Sequence, residues 1–352
     1  MPKTMRAIVK VKEGVGAELR EVPVPRPGPG EILVEVTATS ICGSDLHIWQ
    51  WNSWARKRIR LPQIMGHELA GRVVEVGKDV HHIPVGTFVS AETHLACGVC
   101  YQCRTGRPEI CKNLRILGVD TTGVFAEYAV IPAVNAIVND ERIPPEYASV
   151  QEPLGNAIDT VLAEDVSGKS ILVTGLGPVG LLAVAVARSC GAGLIVASEP
   201  NPLRRQLAER LGANRVVDPR SEDLVQVVRD LTAGDGVEVL AEMSGSAQAL
   251  RDGLRCVTPG GRVSILALYD GEVSLDLNDL VVLRAIRIYG VTGRKMFSTW
   301  FKARELLVHG RLDLANVVTH KFAFDRFAEA FELMSNGNCG KVVLYPHGEV
   351  AP

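Results

Sequence analysis

The chain lacks an excess of charge of either sign. Thirty-eight Lys and Arg face 40 Asp and Glu, a formal net charge of -2 with neutral histidines. That balance argues against a protein that coats nucleic acid or clings to an anionic membrane through a polybasic face. The N-terminus, MPKTMRAIVKVKEG, has no apolar h-region of a secretory signal. The longest apolar stretch, Ile171–Ala187, is short for a membrane span and is broken by Thr174, Gly175, Gly177 and Pro178. Internal repeats and low-complexity tracts are missing as well. Together these absences point to a cytoplasmic protein without a membrane or nucleic-acid partner. In such a compartment the eight cysteines read as metal ligands and free thiols rather than disulfides.

What is present is an ordinary globular composition, 47% hydrophobic and 22% charged over 352 residues, enough for about two domains. The first 150 or so residues are β-rich. Met5–Val11, Glu18–Val24, Glu31–Thr37, Leu69–Val76, Val85–Val89 and Phe125–Val130 read as strands, punctuated by Pro23, Pro25, Pro27 and Pro29 and by glycines. This predicts a compact, barrel-like β domain. From about residue 168 short apolar runs alternate with helical patterns. Strands are expected at Ile171–Thr174, Leu194–Ala197, Arg215–Val217, Val237–Ala241, Arg262–Leu268 and Ile286–Tyr289. Helices are expected at Val179–Cys190, Pro202–Leu211, Glu222–Leu231 and Ala247–Cys256. That rhythm predicts a parallel sheet covered on both faces. Two amphipathic helices, Ser298–His309 and Asp325–Ser335, precede a last strand at Lys341–Tyr345. The final strand could return to the first domain and make it discontinuous.

Three motifs carry chemistry. Gly175-Leu-Gly177-Pro178-Val179-Gly180 lies between an expected strand and an expected helix. Glycines at this spacing let a backbone approach a pyrophosphate at a helix N-terminus. Glu199, nineteen residues past Gly180 at the end of the next strand, can accept both ribose hydroxyls and would repel a 2′-phosphate, which favours NAD over NADP. Arg204 and Arg205 beyond it keep NADP in play.

Cys97-x2-Cys100-x2-Cys103-x7-Cys111 is the most specific pattern. Four thiolates so close in sequence can close a tetrahedron around Zn²⁺ with no open position, a structural site. An iron–sulfur cluster or free thiols are the alternatives, but the seven-residue gap followed by Lys112 departs from the ferredoxin spacing. The third constellation is scattered: Cys42, the pair His67-Glu68 and Glu152. Sulfur, imidazole and carboxylate together suit an open zinc site.

On these residues the chain resembles the zinc-dependent medium-chain alcohol dehydrogenases. The run Gly66-His67-Glu68-x2-Gly71-x5-Gly77-x2-Val80, the cysteine lobe downstream of it and the glycine motif follow one another as they do in that family. A narrower resemblance, to a threonine-oxidising branch, is carried by Cys42–Asn52, Glu92-Thr93-His94, Gly118–Tyr128, Gln151–Asn156 and Tyr289–Arg294.

The resemblance implies an α/β plus β architecture. A Rossmann doubly wound parallel sheet, residues 153–294, is inserted in a discontinuous GroES-like β-barrel catalytic domain, residues 1–152 and 295–352. It implies a homotetramer with two zinc ions per subunit, and oxidation of L-threonine by NAD⁺ to 2-amino-3-oxobutanoate. By matching motif, Cys42, His67, Glu68 and Glu152 surround the catalytic zinc, with Glu152 as fourth ligand or as partner of the zinc water. Ser44 and His47 relay the proton, with Glu152 beside them. Gly175, Gly177, Pro178, Val179, Gly180, Glu199, Arg204, Leu266, Ala267, Leu268, Val291 and Thr292 face the cofactor. His94 is a candidate contact for the substrate carboxylate. Two departures stand out. Ser44 replaces the branch's usual Thr, as in polyol dehydrogenases, which makes a sorbitol- or butanediol-like polyol dehydrogenase the alternative. Trp49-Gln50 replaces a Tyr-Glu pair.

Overall fold

A computed structural model describes residues 1–348 of the chain. The described residues divide into two compact units. One comprises Met1–Glu152, Met296–Arg304 and the chain from Val318 onward; the other comprises Pro153–Lys295 and Glu305–Val317. The segment 305–317 thus groups with the second unit, whereas the sequence reading put everything after 294 in the first.

In the first unit the strands are β1 (Thr4–Lys10), β2 (Glu18–Pro23), β3 (Glu31–Ser40), β4 (Gln63–Ile64), β5 (Glu68–Val76), β6 (Phe88–Ala91), β7 (His94–Leu95), β8 (Arg115–Ile116), β9 (Tyr128–Pro132) and β10 (Ala136–Val138). Near the C-terminus β17 (Val318–Ala323) and β18 (Lys341–Tyr345) join them. The main sheet runs β10-β6-β5-β3-β18-β17, with β9 also on β3, and a separate sheet runs β2-β1-β4. The expected barrel is therefore not a closed one: among the described residues the pairing is a set of open sheets. Within the main sheet the β3–β5 pairing is irregular, with register shifts between Leu33 and Val34 and between Val36 and Ala38. Irregularities of this kind bend and twist a strand out of continuous pairing.

Four short helices fill the gaps: α1 (Gly43–Gln50), α2 (Ser53–Arg58), α3 (Tyr101–Arg104) and α4 (Pro145–Ser149). Periodicity did not announce them, because α1 and α2 are made by their ends. Asn52 accepts hydrogen bonds from the backbone N–H of Trp54 and Ala55 and so starts α2. Trp51 closes α1 in the left-handed conformation. Trp49, one of the two departures, is buried and stacks on Phe331 at 4.6 Å and 6°. Phe331 lies on α11 (Phe327–Ser335), so this contact anchors α1 in the core.

The second unit is built on β11 (Ser170–Thr174), β12 (Leu194–Ser198), β13 (Arg215–Val217), β14 (Val237–Glu242), β15 (Val257–Ile265) and β16 (Arg287–Gly290). All pair in parallel, in the order β13-β12-β11-β14-β15-β16. That is the doubly wound order, with a reversal beside β11 where nucleotides bind. Helices α6 (Pro178–Ser189), α7 (Pro202–Arg210), α8 (Leu224–Leu231) and α9 (Ala247–Cys256) connect the strands. Strand β15 ends at Ile265, so Leu266–Leu268 form its exit turn rather than its last residues.

Helices α5 (Gln151–Val161) and α10 (Ser298–Val308) both begin in the first unit and continue in the second. The buried Arg262 of β15 donates to the carbonyls of Thr160, Val161 and Glu164. It thereby satisfies the C-terminal acceptors of α5, which burial would otherwise leave without water.

Candidate metal centres and dinucleotide pocket

Strand register gathers the first site. β3 and β5 run antiparallel with Ser40 opposite Glu68. The residue before Glu68 and the residue two beyond Ser40 therefore meet at the same end of the pair. The Cys42 sulfur, a ring nitrogen of His67 and a carboxylate oxygen of Glu68 lie within 4.8 Å of one another. Gly66 makes the turn that delivers His67. Its φ is +88°, and a Cβ there would sit 2.1 Å from the Phe125 ring, so only glycine fits.

Asp45 completes the frame. One carboxylate oxygen accepts from the Cys42 backbone N–H at 2.9 Å, capping α1, and the other lies 3.6 Å from His67 Nδ1. Both Asp45 and Glu68 are wholly buried. Burial favours the neutral ring of His67, but the facing Asp45 carboxylate and Cys42 sulfur prevail and hold its proton well above the ordinary range. Burial also raises Glu68, against the opposing pull of Lys341 and His67 and with the help of Glu152. A buried cluster so rich in acidic groups suits a cation.

The sequence did not single out Asp45 or Lys341. The first could have been found as the acid three residues after a helix-starting residue, the capping-box spacing. The second shows as a lysine opening an otherwise apolar strand.

The other expected residues of this unit fall nearby in varying degree. Glu152, buried in the first turn of α5, accepts from Thr93 Oγ1 at 3.4 Å and is not one of the three that cluster within 4.8 Å. Ser44 and His47 lie one turn apart on α1, Ser44 half-buried and His47 exposed with its ring 6.2 Å from that of Trp54. His94 is buried on β7. Its N–H donates to Glu92 Oε1 at 2.7 Å and its carbonyl accepts from Asn135.

The second cluster is Cys97, Cys100, Cys103 and Cys111, again with all four sulfurs within 4.8 Å of one another. Zinc–sulfur bonds of about 2.3 Å in a tetrahedron require sulfur–sulfur edges of about 3.8 Å. Cys100 lies 3.5 Å from Cys103 and 3.8 Å from Cys111. Backbone N–H groups of Val99 and Cys100 bring Cys97 down to about 6, and those of Cys103 and Lys112 lower Cys100. Cys103, desolvated and crowded by the other sulfurs, is pushed up to about 12. Main-chain donors aimed at sulfur favour the thiolate form that a metal binds.

In the second unit the glycine turn divides its labour. Gly175 has φ +81° and a Cβ there would meet Ser244 Cα at 2.5 Å; a Cβ on Gly180 would meet the Gly175 carbonyl at 1.9 Å. At Gly177, the residue before α6, a Cβ would meet nothing within 4 Å. The first and third glycines serve the turn and the packing of helix on strand, and the middle one leaves the surface open to a ligand. A pocket of about 550 Å³ adjoins the turn, lined by Gly175, Gly177, Glu199, Arg204, Arg220 and Ser244 among others. Glu199 accepts from the N–H of Leu176 at 2.7 Å and of Asn201 at 2.9 Å, which fixes its carboxylate at the pocket wall. Arg205, in contrast, is turned to the Glu199 and Pro200 carbonyls and to Asp218. Leu266–Leu268 and Val291–Thr292 follow β15 and β16 at the carboxyl edge of the sheet, where such folds bind ligands, but do not line this pocket.

Two metal-ligand clusters in the first unit, and a doubly wound sheet with this turn in the second, define a zinc-binding dehydrogenase. Residues 28–141 match the alcohol dehydrogenase GroES-like domain and residues 178–309 match the zinc-binding dehydrogenase domain. An L-threonine 3-dehydrogenase of Pyrococcus horikoshii is 56% identical over 98% of this chain and 99% of its own length. The chain thus belongs to the zinc-dependent medium-chain dehydrogenases, and within them it is most like the L-threonine 3-dehydrogenases. Among solved structures, a zinc-binding dehydrogenase from Sinorhizobium meliloti bound to NADP matches 98% of this chain and 100% of its own, with TM-score 0.91 and 28% identity. The 2R,3R-butanediol dehydrogenase of Bacillus subtilis matches 97% of this chain and 99% of its own, with TM-score 0.88 and 27% identity.

Proposed function

We propose that the protein oxidises L-threonine at its secondary alcohol with NAD⁺, giving 2-amino-3-oxobutanoate. The observation that carries this reading is the convergence of Cys42, His67 and Glu68 within 4.8 Å in a chain 56% identical over nearly its full length to an L-threonine 3-dehydrogenase.

Cys42, His67 and Glu68 would hold the catalytic zinc, with Glu152 beside them, and the four-cysteine lobe would hold a structural one. The sulfur, nitrogen and oxygen donors of the first site suit zinc with a position left for substrate, and the four sulfurs of the second suit a closed site. When bound, zinc supplies Lewis acidity and NAD⁺ accepts the hydride. The protein does the rest. Asp45 faces His67 Nδ1 and thereby orients the ring toward Cys42. Ser44 accepts the substrate's hydroxyl proton as it passes its own outward, and the exposed His47, one turn further on α1, hands a proton on to solvent. Glu152 offers a carboxylate to the substrate ammonium, and His94 a ring donor to its carboxylate.

In the second unit Gly175, Gly177 and Gly180 cradle the pyrophosphate, and Glu199 takes the ribose hydroxyls. The Glu199 carboxylate fixed at the pocket wall favours NAD⁺ over NADP⁺; Arg205 is drawn away to Asp218, while Arg204 stays on the lining. Exposed Leu277, Val282, Leu283 and Ile288 near the edge strand β16 offer an apolar surface for a second subunit, in keeping with a homotetramer. No described helix is long and apolar enough to cross a membrane, and we place the enzyme in the cytoplasm.

Ser44 and the likeness to a butanediol dehydrogenase favour, as a second reading, a polyol substrate. Steady-state assays with L-threonine, 2,3-butanediol and sorbitol, each with NAD⁺ and NADP⁺, decide. The expected result is the highest kcat/KM for L-threonine with NAD⁺. A higher value for either polyol would overturn the substrate, and a higher value with NADP⁺ would overturn the role of Glu199.

A further inference from the structure

Lys341 opens β18 and is 1% exposed, a rare position for a lysine. Its ammonium lies 2.7 Å from Glu68 Oε1 and 2.6 Å from Glu68 Oε2, and donates to the Ile41 carbonyl at 2.9 Å. The fold makes this approach obligatory. β18 pairs antiparallel with β3, with Val343 opposite Ser40, and the Ile41 N–H donates to the Val342 carbonyl at 3.0 Å. The same β3 end carries Ser40, whose hydroxyl donates to Glu68 Oε2. Both oxygens of Glu68 are thus engaged by donors on β3, which pairs with its own strand, and on β18, the next strand beyond β3.

The charge balance adds a second reason. The carboxylates of Asp45, Glu68 and Glu152 are all buried at this end of the unit, and Lys341 sets its ammonium against the Glu68 carboxylate without occupying a ligand position. In a buried site an ionised carboxylate without a partner is strongly disfavoured.

We propose that Lys341 is a positioning residue for the metal site: it pins the Glu68 carboxylate toward Cys42 and His67, and so sets how tightly zinc is held there. It acts through Glu68 and has no contact with substrate. Residues that orient metal ligands in this way typically contribute about 10–100-fold to metal affinity. The inference rests on the reading of Cys42, His67 and Glu68 as ligands.

The test measures zinc rather than turnover. Purified full-length protein is titrated with a chromophoric chelator, and the cobalt-substituted protein is followed by its visible d–d spectrum. Lys341→Met should lose one zinc about 10–100-fold more readily, keep the four-cysteine zinc unchanged and alter the cobalt spectrum. Lys341→Arg should recover part of the affinity. Wild-type retention and an unchanged spectrum in Lys341→Met would overturn the proposal. If Lys341→Met does not fold, Lys341→Met/Glu68→Gln is compared with Glu68→Gln alone. Equal zinc affinity supports action through Glu68, and a further loss overturns it. A Cys42→Ser variant separates the two levels of inference: if it binds as much zinc as wild type, the ligand reading itself fails, whatever Lys341 does.

Discussion

The indole N–H of Trp300 donates to Glu92 Oε2 at 2.6 Å, while Glu92 Oε1 accepts from the backbone N–H of His94 at 2.7 Å. A helix that begins at Ser298 is thereby tied through one buried carboxylate to the strand that presents His94, far earlier in the chain.

Trp300→Phe keeps most of the ring volume and removes this donor. A hydrogen bond to a charged group contributes about 1.5–3 kcal/mol, and urea unfolding should show a loss of that order. Because the released carboxylate also anchors His94, KM for L-threonine should rise more than kcat falls. An equal loss of both would place Trp300 outside substrate positioning.

The cysteine lobe predicts a separation of stoichiometry from chemistry. The Cys100 sulfur lies 3.5 and 3.8 Å from those of Cys103 and Cys111. Cys100→Ser should reduce bound zinc from two ions to one per chain and lower Tm, because structural zinc binding is folding free energy. Two zinc ions and an unchanged Tm would show that the lobe holds its shape by packing alone.

The legible part of this molecule is the part whose function depends on residues near one another in sequence. The cysteine lobe and the glycine turn declare their ligands within fifteen residues or fewer, and the alternation of strands and helices from 168 to 290 announces β11 to β16 as a parallel sheet, though not their order in it. Long-range pairing left the rest unreadable. Lys341 meets Glu68 across 273 positions, and Trp300 meets Glu92 across 208. Such contacts follow from which strand lies beside which, and that is a property of register rather than of local pattern. Helices α1 and α2 escaped for a different reason: caps and a single stacked tryptophan hold them, with no apolar stripe long enough to show a period. Leu266–Leu268 read as strand because they continue its apolar run, but the strand stops at Ile265.

Asp218 gives the pH dependence a sign. Its carboxylate accepts from Arg220 and lies 3.0 Å from Arg205, and the Arg220 hydrogen bond holds it below the usual carboxylate range. Between that lowered value and about 3.9, the unfolded value for Asp, the folded protein binds fewer protons than the unfolded chain. The contribution of Asp218 is therefore complete above the unfolded value and disappears as pH falls through the folded one. Asp218→Asn should unfold at lower urea than wild type at pH 7, and the gap should narrow toward pH 3. A gap that stays constant with pH would mean that the substitution acts through packing.

The glycine turn allows fold and ligand to be tested apart. At Gly180 an added methyl would press on the Gly175 carbonyl at 1.9 Å, so Gly180→Ala must push α6 away from β11. Overpacking of this kind costs about 1–3 kcal/mol, and both Tm and dinucleotide affinity should fall. At Gly177 the backbone has φ -59°, which any residue adopts, and the methyl would enter open space. Gly177→Ala should keep Tm within about 1 °C, since a substitution that touches no core contact shifts stability little. Its dissociation constant for NADH, read by fluorescence, should still rise by about tenfold or more, because the methyl occupies the surface that a pyrophosphate must approach. Undiminished NADH binding in Gly177→Ala would move the cofactor away from this turn and take the assignment of Glu199 with it, and a loss of stability would show that the methyl does not enter open space.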